Sequence, residues 1–226
     1  MHNAGFFRQI ALTVCGVGTL ALDTSVVAAE APLDPQSAPV QAIWKEQEIT
    51  FFYQSFTTLY SCDGLEDKLA KILAALGARG DAKVTSFGCE SGPVRSPRVV
   101  VTLFSPVEAT REALAEQAKT RGKRDLVARV KADSAGADEM SQQFAAQWRD
   151  VSLSRGALGL EPGDCELIEQ LQKKLLPKLA VRIVKDEVSC TPYRLTPGQP
   201  RLEVQALIEA PKPDQSPQAA PANSQG

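Results

Sequence analysis

The sequence predicts an α+β fold of two βαββ repeat units, each with one helix packed on a small antiparallel or mixed sheet and each stapled by one disulfide. Three observations carry this expectation. A helix-like pattern running into a strand-like pattern lies between Cys62 and Cys89, and the same pattern returns between Cys165 and Cys190. Trp44 and Trp148 precede the two stretches, each followed by a basic and then an acidic residue, WKE and WRD. Behind each second cysteine a Pro-bearing loop, ESGPVRSP or TPYRLTPGQP, leads to an Arg that opens a strand-like tract, RVVVTLF or RLEVQALI. Cys62 and Cys165 stand 103 residues apart and the two tryptophans 104. Landmarks repeated in one order are the signature of an internal repeat.

The chain has 226 residues, enough for one medium domain or two small ones. Residues 1–29 read as a secretory signal peptide. Arg8 is the only charged residue before an apolar run from Ile10 to Leu22, and DTSVVAAEA offers small residues for cleavage after Ala28, Ala29 or Ala31. The apolar run is shorter than the roughly 20 residues a membrane span needs. LTVC, ending at Cys15, is a poor lipidation box, because Val14 stands where a small residue is required. Residues 30–42 and 210–226 are rich in Pro and small residues, and both read as disordered segments.

The first unit covers residues 43–105. Its tract EITFFYQSFTTLY is apolar or aromatic on both faces, as in a central strand or an edge that meets a partner. Leu65, Leu69, Ile72, Leu73 and Leu76 follow at helical spacing, with Glu66, Asp67, Lys68 and Lys71 off the stripe. Asp63 with Glu66 resembles a capping box, Ser61 is placed to cap, and Gly77 is a stop. AKVTSF then reads as a strand. The second unit covers residues 148–209. Adding 103 maps the stripe to Ile168, Gln172, Leu175, Leu176 and Leu179; four of the five stay apolar, and Leu171 can fill in for Gln172. Its cap is Asp164, and Pro177 ends or kinks the helix early. VRIVKDEV is its strand. Between the units, residues 106–147 begin as an Ala- and Glu-rich helix; LVARVKA continues it or forms an extra strand. DSAGADE is a turn or flexible joint.

Four cysteines remain after signal removal, and three pairings are possible. A helix of about 14 residues rises roughly 21 Å, and a strand of about six residues runs roughly 20 Å back. Each second cysteine therefore returns to the level of its first. The expected bridges are Cys62–Cys89 and Cys165–Cys190. Redox chemistry wants Cys-x-x-Cys or a lone activated thiol, and zinc wants close cysteine pairs; neither pattern is present.

The sole histidine, His2, leaves with the signal, so Ser-His-Asp and Cys-His chemistry is excluded from the mature chain. No catalytic residue, metal ligand or cofactor is assigned. Neighbouring carboxylates such as Glu46 with Glu48, Asp138 with Glu139 and Asp186 with Glu187 do not face each other across a cleft, as glycoside hydrolysis requires. The net charge of −2 gives no bias toward nucleic acid. Lys119, Arg121, Lys123, Arg124, Arg129 and Lys131 form the densest basic run. They read either as an anion-binding strip or as a solvated face, and the lack of interleaved aromatics favours the second. Trp44, Phe52, Tyr53, Phe56 and Tyr60 form a possible partner surface, although such a cluster belongs to a core more often.

WKEQEITFFYQSFTTLYSCDGL and the later GDCELIEQLQKKLLP resemble a group of exported proteins of Gram-negative bacteria with no assigned activity. The resemblance spans residues 43–208, with the Ala-rich insert near 110–147 less typical. It implies a periplasmic address and carries over no functional residue. The expectation is a periplasmic binding or structural protein whose partner is another envelope protein. The alternatives are binding of an anionic polymer or membrane surface through residues 119–131, and a carboxylate- or metal-dependent enzyme without a recognisable motif.

Overall fold

A computed structural model describes residues 38–89, 91–131 and 142–211, without the side chains of 123–125 and 127–131. The expected signal peptide, residues 30–37 of the expected linker, the DSAGADE joint and the tail from residue 212 lie outside the described residues. The elements are β1 (Val40–Phe52), α1 (Cys62–Ala75), β2 (Lys83–Phe87), β3 (Arg98–Glu108), α2 (Arg111–Lys131), β4 (Phe144–Ser152), α3 (Cys165–Lys174), β5 (Val181–Asp186) and β6 (Leu202–Glu209). LVARVKA therefore continues α2 as far as Lys131 and forms no strand.

The six strands make one sheet in the order β2-β3-β1-β4-β6-β5, and every pairing is antiparallel. The order β-α-β-β occurs twice along the chain, and each occurrence supplies three adjacent strands. The two halves join at β1 and β4, where Val40 faces Ala146, Gln41 faces Ala145 and Ala42 faces Phe144. Moving along the chain by the Trp-to-Trp spacing exchanges the outer two rungs and carries the middle one onto itself. The joint thus has approximate two-fold geometry. Ala42 and Ala146 are fully buried there, and their small side chains let the strands meet under neighbouring rings. Val40–Ala42 is strand, not linker, which corrects the sequence boundary at residue 43.

One core takes side chains from both halves. Ile49 and Phe51 of β1, Val99 and Val101 of β3, and Val204 of β6 meet the apolar stripes of α1 and α3 in a single cluster. The stripe residues Leu65, Leu69, Ile72, Leu73, Ile168, Leu171 and Leu175 are all buried. Each contributes about 1.5–3 kcal/mol of transfer free energy. Helix α1 begins at Ser61, whose hydroxyl accepts the Gly64 N–H at 3.2 Å. Glu66 does not close a capping box; its carboxylate accepts the Ser86 N–H instead. The helix ends in a Schellman motif, with Gly77 N–H on Ala74 O and Ala78 N–H on Leu73 O. Gly77 holds φ +86, and a Cβ there would lie 2.5 Å from the Leu207 carbonyl oxygen of β6. Glycine is therefore required both for backbone conformation and for space. Pro177 falls in a short 3₁₀ turn, Leu176–Lys178, and α3 is indeed the shorter helix.

Both bridges form within a half: Cys62–Cys89 with Cα atoms 5.4 Å apart, and Cys165–Cys190 with Cα atoms 5.7 Å apart. No described helix is long and apolar enough to cross a membrane.

Candidate interaction surface

Strand β1 runs out at Phe52 and the chain loops through residues 53–61 before α1. Tyr53 and Tyr60 fix the two ends of this loop in the core, their ring centroids 5.7 Å apart. Burial pushes both phenols well above the ordinary tyrosine range. The Tyr60 hydroxyl donates to Asp164, which also accepts Lys68 Nζ at 2.6 Å and the Glu161 N–H at 2.8 Å. Asp164 occupies the position before α3 but makes no side-chain cap there; its oxygens are turned to Tyr60, Lys68 and Glu161. The buried Tyr53 hydroxyl lies beside the Ser55 side chain, whose influence is smaller than that of burial.

Between these two rings the loop is held by one stripe of α3. Glu166 Oε2 accepts the N–H groups of Phe56 and Thr57 at 2.8 and 3.0 Å, and Glu166 Oε1 accepts the Thr57 hydroxyl at 3.0 Å. Gln170 exchanges two hydrogen bonds with the Gln54 backbone. Lys174 donates to the Phe52 carbonyl at 2.6 Å, and burial pushes its ammonium pKa down. Residues 166, 170 and 174 are successive i, i+4 neighbours on one helix face. The last carbonyl of β1 and the backbone groups of the loop after it thus find side chains of α3 where a strand would otherwise pair.

The held loop presents Phe56 and Leu59 outward. A second loop, residues 187–201, comes to meet it, tied to the first residue of α3 by Cys165–Cys190. Tyr193, at φ +63, sets its ring edge-on to Phe56 with centroids 5.5 Å apart. The Arg95 guanidinium lies 5.9 Å from the Tyr193 centroid. Leu195 packs over Gly163, where any Cβ would collide with the Thr58 hydroxyl. Phe56, Leu59, Tyr193 and Leu195 are 43, 46, 67 and 63% exposed. Phe56 and Tyr193, brought together from separate loops, with exposed Leu59 and Leu195 on the same loops and an arginine beside Tyr193, have the composition of an interface centre.

The five aromatics singled out from the sequence divide here. Trp44, Tyr53 and Tyr60 are buried, which removes them from any partner surface, while Phe52 and Phe56 are exposed. Trp44 instead stacks on Phe144 at the β1–β4 joint, centroids 4.6 Å apart. Lys119 and Arg121 are exposed on α2, with Lys119 paired to Glu116 at 3.4 Å; the side chains of Lys123, Arg124, Arg129 and Lys131 lie outside the described residues. Tyr193, Leu195 and Arg95 were not legible as a group. The one available signal was an aromatic residue inside an otherwise polar, Pro-bearing loop beside Cys190.

Chemically the arrangement holds and displays. Asp164 and Glu166 are buried carboxylates, and each already accepts three hydrogen bonds. Among the described residues no three His, Cys, Asp or Glu side chains group as metal ligands. The chain matches no protein-family model, no curated protein and no solved structure.

Proposed function

We propose that the protein is a periplasmic binding protein, not an enzyme, and that it engages another envelope protein through the Phe56–Leu59–Tyr193–Leu195 surface. The observation that carries this is the pairing of exposed apolar side chains with rigid support. One loop is pinned by five hydrogen bonds to Glu166 and Gln170 beside it, and the other is closed by a disulfide. Side chains already ordered before contact lose less entropy on binding, so exposed aromatics held this way make effective hot spots. Two disulfides suit an oxidising compartment, and the export signal read in residues 1–29 supports the same address.

The test is site-specific photo-crosslinking in the intact envelope, with the probe at Leu195. A discrete crosslinked species is expected. It should vanish in Phe56→Asp/Tyr193→Asp and survive Lys119→Glu/Arg121→Glu. Persistence of that species in the first variant, or absence of any species in the wild type, sinks the proposal. Loss in the charge-reversal variant alone would move the binding surface to α2.

A further inference from the structure

The loop that carries Phe56 lies beside a basic stretch of chain. Residues 94–98 continue the β1–β3 ladder past the end of the sheet: Pro97 O accepts the Tyr53 N–H at 3.0 Å, and Arg95 O accepts the Ser55 N–H at 2.8 Å. Arg95 is thereby set beside the Phe56 loop, with its guanidinium 5.9 Å from the Tyr193 ring centroid of the other loop. Arg98 stands opposite Phe52 of β1 and opposite Phe87 of β2. Its guanidinium lies 4.7 Å from the Phe87 centroid. Directly opposite residues share a sheet face, so Phe52, Arg98 and Phe87 form one exposed row. Arg194 follows Tyr193 directly.

All three arginines are exposed, and none pairs with a carboxylate among the described residues. Segments 53–60, 94–98 and 190–196 contain no Asp or Glu. Asp164 and Glu166 are buried and hold the first loop from within. Glu161 accepts the Asp164 N–H, and Glu187 is shared by Lys185 and Arg201. The apolar surface is thus accompanied by positive charge that these acids do not neutralise.

We propose that the partner presents an acidic segment to this surface, with carboxylates that meet Arg95, Arg98 and Arg194 around the apolar contacts; this rests on the reading of the two loops as a protein-binding surface. A guanidinium beside a ring keeps its N–H donors for an acceptor, and its planar fork matches a carboxylate in two parallel hydrogen bonds. Every cation on the three segments is arginine, which is more weakly hydrated than lysine and is enriched at the centres of interfaces. Thr57, Thr58 and Thr196 interrupt the exposed apolar side chains. That mixture suits a protein contact, where a face that docks on lipid is continuously apolar.

The experiment titrates the oxidised mature protein with the peptide acetyl-EELEE-amide and, separately, with acetyl-QQLQQ-amide, following backbone amide shifts by NMR. Shifts at residues 52–60, 94–98 and 191–196 are expected with the acidic peptide and not with its neutral analogue. Raising the salt from about 0.05 to about 0.5 M should weaken binding about tenfold. Arg95→Gln/Arg98→Gln should also weaken it about tenfold, and Lys119→Gln/Arg121→Gln should leave it unchanged. The same spectra report whether each variant is folded. In the intact envelope, the Leu195 crosslink should be lost in Arg95→Glu/Arg98→Glu. A crosslink that disappears in Phe56→Asp/Tyr193→Asp but keeps its full yield in Arg95→Glu/Arg98→Glu leaves the loop surface standing and overturns the acidic partner. The proposal also falls if the two peptides bind alike, or if Arg95→Gln/Arg98→Gln binds the acidic peptide as the wild type does. Capture by phosphatidylglycerol vesicles through Arg95 and Arg98, without binding of the peptide, would overturn it in favour of an anionic membrane surface.

Discussion

Gln170 of α3 and Gln54 of the loop after β1 pair reciprocally: Gln170 Oε1 accepts the Gln54 N–H at 2.9 Å, and Gln170 Nε2 donates to the Gln54 carbonyl. A side-chain amide has the same donor–acceptor geometry as a peptide unit, so Gln170 completes a rung that β4 is too far along to supply. With Glu166 before it and Lys174 after it, one helix face acts as the missing strand.

Removing that rung has a defined cost. Gln170→Ala leaves both backbone groups of Gln54 to find water, and about 1 kcal/mol of stability should be lost. Amide exchange at Gln54 and Phe56 should accelerate more than at core positions such as Ile49. Lys173→Ala, on the exposed side of the same helix, serves as control and should stay within about 0.5 kcal/mol of the wild type. Equal effects from the two substitutions would show that Gln170 does not hold the loop.

Gly77→Ala tests the docking of α1 against β6. Alanine at φ +86 meets backbone strain, and its Cβ would press on the Leu207 carbonyl, a backbone atom that cannot rotate away. The expected loss is about 2 kcal/mol or more, read from the urea midpoint. Gly80→Ala, where a Cβ meets nothing within 4 Å, should be near neutral.

How much of this was legible in the sequence depends on the strength of each local signal. The stripes Leu65–Leu76 and Ile168–Leu176 repeat at helical spacing, and the up-and-back path between cysteines follows from rise per residue alone, so helices and bridges could be read directly. The joint between the halves could not. It is built from Val40, Gln41, Ala42 and their partners, inside a stretch whose Pro and small residues imitate disorder. Asp164 and Glu166 were equally opaque, because acids at a helix start are expected on grounds of the dipole alone. Their role is set by Tyr60, Phe56 and Thr57, more than a hundred residues away. The aromatic tract misled for a related reason: alternation puts Tyr53 inward and Phe52 outward, and composition does not reveal which.

The two disulfides should separate in their consequences. Replacing Cys165 and Cys190 by serine removes a loop constraint worth about 3–4 kcal/mol and frees the loop that carries Tyr193. Crosslinking from Leu195 should then fall even where the protein is still folded. Replacing Cys62 and Cys89 should cost a similar amount and spare the crosslink. A non-reducing peptide map should yield Cys62 with Cys89 and Cys165 with Cys190; a Cys62–Cys165 peptide would contradict the fold.

Tyr53 and Tyr60 set the alkaline limit of stability. Both phenols are raised above the ordinary value of 10.0, chiefly by burial and, for Tyr60, also by its hydrogen bond to Asp164. Above pH 10 the unfolded chain releases these protons while the native chain keeps them. Stability is therefore fully present below pH 10 and declines as pH rises, by up to about 1.4 kcal/mol per pH unit for each tyrosine. The Tyr53 hydroxyl has only the Ser55 side chain beside it among the described residues, so Tyr53→Phe should change stability at pH 7 by no more than about 1 kcal/mol. The same substitution should flatten the decline between pH 10 and 11.5, because only Tyr60 still contributes. Tyr60 and its hydrogen bond to Asp164 are untouched by this change, so the difference between the wild-type and Tyr53→Phe urea midpoints isolates one phenol. Parallel midpoint curves across that range would mean that the Tyr53 hydroxyl is not kept protonated by burial.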